Sequence, residues 1–179
     1  MTSPEETGET ELIQIAQQGD ADAFGQLVVR YQQAVFNIAY RMTGNHHEAE
    51  DVAQEAFIKS YRALDRFEPT RPFAPWLYRI TTNTALNWIK RSRPEVKMDE
   101  ETTRSETTLS IEAQTIAAET SDRLRAAIAK LAPNYRAVIE LRHFQGLSYK
   151  EMSETLNIPL SDVKSWLFRA RRRLREILA

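Results

Sequence analysis

Between Gly19 and Gly44 the apolar residues Phe24, Leu27, Val28, Tyr31, Val35, Ile38, Ala39 and Met42 return at steps of three and four. That is the period of one helical face, and it commits the segment to a long helix that lays this face on a core. Asp20 is suited to cap its start, and Gly44 to take the left-handed conformation that ends it. A shorter helix is expected around Leu12–Gln18. Asn45 offers the cap of a third helix, with Ala49, Val52, Ala53, Ala56, Phe57, Tyr61 and Leu64 as its buried stripe. Pro69, Pro72 and Pro75 interrupt the pattern. It resumes from Pro75 to Arg91, with Trp76, Leu77, Ile80, Thr84 and Trp88 on one side and Arg79, Asn83, Leu86 and Lys90 on another. Five Gly and seven Pro in 179 residues are too few for a loop-rich sandwich, so an all-α fold is expected.

The net charge of −1 averages over segments that differ sharply. Residues 71 to 93 carry five bases (Arg71, Arg79, Lys90, Arg91, Arg93) and no acid. Residues 94 to 119 carry seven acids against Lys97 and Arg104, with only Leu109, Ile111 and Ile116 as anchors, and read as an acidic flexible linker. The last 18 residues carry six bases against Asp162 and Glu176. The expected organisation is two small helical domains, 1–93 and 120–179, joined by the linker 94–119, with two surfaces for polyanions. Zero Cys excludes disulfides, thiol nucleophiles and thiolate metal sites, and three His leave few imidazole ligands. No apolar run approaches the ~20 residues that span a bilayer, and Met1–Glu11 is acidic where a signal peptide is basic and apolar. A cytoplasmic protein without membrane insertion is expected.

The stretch from Gly146 to Ala179 reads as a helix-turn-helix. Ser148 and Glu151 form a capping box opening a short helix with Met152 and Leu156 inward, and Asn157-Ile158-Pro159 makes the turn. Ser161 is expected to cap the last helix, with Val163, Leu167, Ala170, Leu174 and Ile177 inward. In such a motif the start of the second helix enters the major groove, which gives Lys164, Ser165, Phe168 and Arg169 access to base edges. Arg171, Arg172 and Arg175 are suited to phosphates. In the other basic segment Phe73, Trp76, Tyr78 and Trp88 are interleaved with the cations, a mixture suited to opened DNA. Trp76 and Trp88 also fit the core stripe. Asp51, Gln54, Glu55 and Ile58 lie at i, i+3, i+4 and i+7 on the third helix and form an acidic and amide face with one aliphatic.

The runs Asp51-Val-Ala-Gln54-Glu55-Ala-Phe57, Trp76-Leu-Tyr-Arg79-Ile-Thr-Thr-Asn83, Leu147-Ser-Tyr-Lys-Glu151 and Val163-Lys-Ser-Trp-Leu-Phe-Arg-Ala-Arg171 together resemble the extracytoplasmic-function sigma factors of bacterial RNA polymerase. The resemblance covers nearly the whole chain outside the linker. It implies a first domain that holds core polymerase and the promoter's minus-ten element, and a second that reads the minus-35 element. It implies that Asp51, Gln54, Glu55 and Ile58 meet the clamp helices of the largest polymerase subunit, with the beta flap as a second polymerase contact. It brings Arg71, Phe73, Arg79, Asn83, Asn87, Lys90 and Arg91 to the minus-ten DNA, with the loop 67–74 beside a flipped base. It assigns Ser161, Lys164, Ser165, Phe168, Arg169, Arg171 and Arg172 to the minus-35 DNA, in agreement with the motif. An anti-sigma protein is a further partner that many relatives have. No cofactor, metal or catalytic residue is implied.

Two departures bear on the promoter. Ser161-Asp162 stands where many members have Gly-Thr, and Trp166 where they often have Arg after the Lys-Ser pair. An Asp at the helix start can accept from a cytosine amino group or repel a phosphate, so the promoter sequence does not carry over from relatives. The rival from the enzyme class is a metal-dependent hydrolase built on His46, His47, Glu50 and Asp51, but adjacent His point apart on a helix and the H-E-x-x-H spacing is absent. A free-standing helix-turn-helix regulator accounts for the C-terminal half and leaves the first 93 residues without a role.

Overall fold

The computed structural model describes residues 8–93 and 116–179, the latter with side chains from position 121. These residues form eight α-helices: α1 Glu9–Gln17, α2 Ala21–Thr43, α3 His46–Ala63, α4 Phe73–Ser92, α5 Ile116–Ala129, α6 Pro133–Ile139, α7 Tyr149–Leu156 and α8 Leu160–Leu178. A 3-10 turn, Leu64–Arg66, follows α3, and a π-helical turn, Glu140–Phe144, follows α6. The expected linker lies outside the described residues, except that α5 begins at Ile116, inside the stretch assigned to it.

The long helix α2 ends as its sequence dictates. The Asp20 carboxylate accepts from the amide of Ala23, and Gly44 closes the helix at φ 74°. Asn45 caps α3 through the amide of Glu48. The packed faces of α1 to α4 enclose Leu12, Ile13, Leu27, Val35, Phe73 and Leu77, all buried. At the far end of α2 a second cluster joins Ala39 and Met42 to Ala49, Val52, Ala85, Leu86 and Ile89. The C-terminal helices enclose a third core around Leu131, Val138, Leu141, Met152, Val163 and Leu167. The second cluster also includes Ala137 of α6, with Leu156 of α7 packed against it, so the two helical groups share apolar surface.

Several expectations need correction. Phe73 is 1% exposed. Its ring lies between Tyr31, Phe67 and Trp76 at centroid distances of 5.4, 5.5 and 5.4 Å, so it is a core residue and offers no face to a base. The cause is that α4 starts two residues before Pro75, which brings Phe73 onto the apolar stripe. Leu86, placed with the outward residues, is buried because α6 and α7 cover that side of α4. Tyr61, placed in the stripe, is exposed and lies across the ring of Phe24 at 4.8 Å. Ser161 does not cap α8: the helix starts at Leu160 behind Pro159, which occupies the cap position without a side-chain bond. The π-helical turn has no counterpart in the sequence reading.

The capping box of α7 is present in both directions. Ser148 Oγ accepts from the amide of Glu151 at 3.2 Å, and the Glu151 carboxylate accepts from the amide of Ser148 at 2.8 Å. Asn157 ends α7 in the left-handed conformation at φ 52°. The box holds one end of a short helix whose inward side is Met152 and Thr155. Ser148→Ala is therefore expected to cost about 1 kcal/mol, read as a lower urea midpoint with an unchanged slope.

Candidate nucleic-acid and polymerase interfaces

On α3, Asp51, Gln54 and Ile58 are exposed, as the spacing requires. Glu55 is not a free acid. Its carboxylate meets Lys59 Nζ at 2.7 Å and Arg91 Nη2 of α4 at 3.0 Å. The hydrogen bond from Lys59, with that of Arg91 behind it, holds the Glu55 carboxyl below its ordinary pKa against a smaller cost of burial. Arg91 is thereby turned toward α3, with its guanidinium 5.8 Å from the Trp88 ring. Ion pairs link the same two helices again where Arg93 meets Glu48 at 2.9 Å.

The basic face of α4 is divided. Asn87 and Lys90 are exposed, and so is Arg71 in the preceding loop, where it pairs with Glu68 at 2.8 Å. Arg79 and Asn83 are half-buried beneath α7. Asn83 Nδ2 donates to the carbonyl of Thr155 at 3.0 Å, and Arg79 comes within 3.9 Å of Glu151. Trp76 and Trp88 are half-buried, consistent with their place on the apolar stripe.

On α8 the candidate residues fall into two adjacent stripes. Lys164, Phe168, Arg171 and Arg175 border an apolar groove of about 750 Å³, floored by Leu124, Ile128, Leu167 and Leu174. Ser165, Arg169 and Arg172 do not line it, and Arg172 pairs with Glu176 at 3.0 Å. Phe168, at 64% exposed, is among the most open large apolar side chains of the chain. Trp166 packs against the C-terminal core, which explains how a bulky apolar residue is accommodated next to the Lys-Ser pair. Sequence reasoning missed His143. Its Nε2 accepts from Arg171 Nε at 3.4 Å and so steadies one of the cations on the groove. A His in the turn before the motif was the available signal.

Residues 27–95 match the Sigma-70 region 2 family, and residues 121–174 match Sigma-70, region 4. Among curated relatives, "ECF RNA polymerase sigma factor SigW" of Bacillus subtilis is 39% identical over 177 residues, 93% of this chain and 94% of that protein. The solved structure of CnrH in complex with the cytosolic domain of CnrY is similar with a TM-score of 0.63 at 28% identity, covering 95% of this chain and 96% of that one. The sigma factor RpoE of Bartonella quintana, in complex with the anti-sigma factor NepR, shares the fold with a TM-score of 0.67 at 24% identity, covering 87% and 96%. A region 2 bundle followed by a region 4 helix-turn-helix defines the sigma-70 class of transcription initiation subunits. Within that class the chain belongs to the extracytoplasmic-function sigma factors, which bind core RNA polymerase and direct it to promoters by their minus-ten and minus-35 elements. Among the described residues no helix is long and apolar enough to cross a membrane.

Burial, with Arg171 and then Arg142 nearby, pushes the His143 imidazole below its ordinary pKa. An unfolded chain therefore takes up this proton first, and the contribution of His143 to stability, full above about 6.5, is lost as pH falls through its lower folded value. An NMR titration of the His143 ring should give a midpoint below 6.5, and His143→Gln should lose less stability than the parent chain between pH 7.5 and 5.5.

Proposed function

We propose that the chain works as a two-point bridge, with domains at 1–93 and 120–179 and the acidic linker 94–119 setting their reach. Asp51, Gln54 and Ile58, with Glu55 beside them, form the face that meets the clamp helices of the largest polymerase subunit. Arg79, Asn83, Asn87 and Lys90, with Arg71 in the adjacent loop and Arg91 once released from Glu55, serve the opened minus-ten DNA. Lys164, Ser165, Phe168 and Arg169 read minus-35 bases, while Arg171 and Arg172 hold phosphates and Ser161 lies at the entry of the helix. The observation that carries this reading is the separation of three chemically distinct faces on three helices: acidic and amide on α3, basic on α4 with Asn87 and Lys90 open, and basic with one open aromatic on α8.

The beta flap is the second polymerase contact of this reading, made by the C-terminal domain away from the residues of α8 that meet DNA. The linker's excess of five negative charges, seven acids less two bases, keeps it from DNA. The chain acts in the cytoplasm, where the polymerase is. An anti-sigma protein is its expected silencer, a reading supported by the fold shared with a sigma factor bound to NepR.

Gel filtration with bacterial core polymerase, followed by run-off transcription from its own genome, tests the whole reading: co-elution and new discrete transcripts are expected. DNA binding without any binding to core would replace the bridge by a free-standing regulator. Arg169→Ala is expected to lower minus-35 affinity about tenfold or more, the value of a good base contact, while leaving core binding intact. Asp51→Ala combined with Gln54→Ala is expected to weaken core binding at least about tenfold, as truncation of central interface residues does, with no change in the melting curve. Equal loss of both activities in either variant would remove the division of labour.

A further inference from the structure

The last helix carries its charge unevenly, and one edge of it has no counter-charge. Arg172 and Arg173 pair with Glu176 on the same helix at 3.0 and 3.2 Å. Lys164, Arg171 and Arg175, which border the groove, meet no carboxylate among the described residues. His143 of the π-helical turn reaches this edge from 28 positions away, where its Nε2 accepts from Arg171 Nε at 3.4 Å. For Nε2 to accept, the neutral ring carries its proton on Nδ1. The bond occupies one nitrogen of Arg171, and the other two find no acceptor among the described residues.

Among the described residues the charged groups around the imidazole are cations. Arg171, Lys164 and Arg175 share the groove with it from α8, and Arg142 adjoins it on its own turn. From α7 the groove receives the phenol of Tyr149, and from α5 and α6 only uncharged aliphatic side chains. Arg41 of α2 lies 4.3 Å from the neighbouring Phe144 ring, and the acid of the same turn, Glu140, is buried against that guanidinium. Partial burial, and then Arg171 and Arg142, keep the free imidazole below its ordinary pKa. The side chain is nonetheless exposed enough to meet a ligand and to exchange a proton with solvent.

A phosphate reverses this balance. An anion set among cations removes the repulsion that opposes one more positive charge, and a protonated imidazole donates from both nitrogens. A phosphate held by Arg171 lies beside His143 as well, because the two side chains are hydrogen-bonded to each other. On protonation Nε2 stops accepting from Arg171 and donates to a phosphate oxygen. The proton comes from solvent, and Arg171 Nε is freed for the same DNA backbone.

We propose that His143 is a further phosphate contact of the minus-35 surface, outside the last helix, and that it takes up a proton from solvent as DNA binds. In the free chain the neutral ring positions Arg171, and in the complex the protonated ring shares its phosphate. The proposal rests on the reading of Arg171 given above. Affinity for duplex DNA then rises as pH falls, because the complex binds more protons than the free chain. Acid weakens the fold through this residue and strengthens the complex.

Binding of the full chain to a minus-35 duplex, taken from a promoter mapped by run-off transcription, is measured by fluorescence anisotropy at about pH 7.5 and about pH 5.5, on either side of an ordinary histidine. Affinity is expected to rise about tenfold at the lower pH, as for an imidazole whose pKa climbs by about one on binding. The slope of log affinity against log salt should steepen there by about 0.9, the value of one more neutralised phosphate. His143→Gln keeps an acceptor for Arg171 but cannot take the proton. It retains His46 and His47 and should lose most of both changes, with the helical signal equal to that of the parent at each pH. In an NMR titration the His143 ring midpoint should move up when duplex is added. Equal pH dependence and salt slopes in the parent and His143→Gln, or a midpoint that does not move, overturns the proposal. Arg171→Ala separates that failure from failure of the reading beneath it. A salt slope unchanged by Arg171→Ala removes Arg171 from the phosphates, whereas a slope reduced by about 0.9 with no effect of His143 leaves Arg171 in place and removes His143 alone.

Discussion

A guanidinium that has left water for two backbone carbonyls governs how the halves of this sigma factor meet. Arg136 donates to Leu131 at the end of the α5–α6 connection and to Met42 in the last turn of α2. The last carbonyls of a helix lack intrahelical partners and carry partial negative charge, so a cation there satisfies an acceptor and complements the helix dipole. Burial, with Arg93 nearby, brings the Arg136 pKa down to about 10 against the opposing pull of Glu48, and the group remains charged at neutral pH. A buried cation tolerates few arrangements, because losing either carbonyl leaves one of its buried N–H groups without that acceptor. That requirement fixes α6 against the end of α2, and the position of α6 fixes the π-helical turn and the helix-turn-helix beyond it.

The π-helical turn is the second element of that chain of dependence. Such turns are rare and occur often at functional sites, because they re-aim the side chains around them. Here the turn sends Glu140 inward to Arg41 and leaves Phe144 exposed beneath the same guanidinium. The arrangement leaves Asp51, Gln54 and Ile58 on α3 and Lys164, Phe168 and Arg169 on α8 exposed, and half-buries Arg79 and Asn83 on α4 while Asn87 and Lys90 stay open.

Much of the fold was legible. Asp20, Gly44, Asn45 and the Ser148–Glu151 box mark helix ends through local hydrogen bonds that depend on a few neighbouring residues, and each stands where its sequence position indicates. The apolar periods of α2 and α8 identify their buried faces for the same reason. Errors arose where a residue's environment comes from elsewhere in the chain. Phe73 reads as an exposed aromatic among cations until the aromatic cluster of Tyr31, Phe67 and Trp76 closes around it. Leu86 reads as outward until a C-terminal helix covers it. Glu55 reads as a free acid until Arg91 reaches it from thirty-six positions away.

The sequence alone determined the helical class, the helix-turn-helix and the separation of acidic and basic faces, because these follow from periodicity, capping and spacing within single elements, and its four motif runs carried the resemblance to the family. The tertiary structure decided which of those faces are open. The Arg41–Glu140 pair spans 99 positions and the Arg136–Met42 bond spans 94, distances at which no local pattern constrains a partner. Exposure on α4 is therefore a property of two helical groups in contact, set by the burial of charged groups that must find each other.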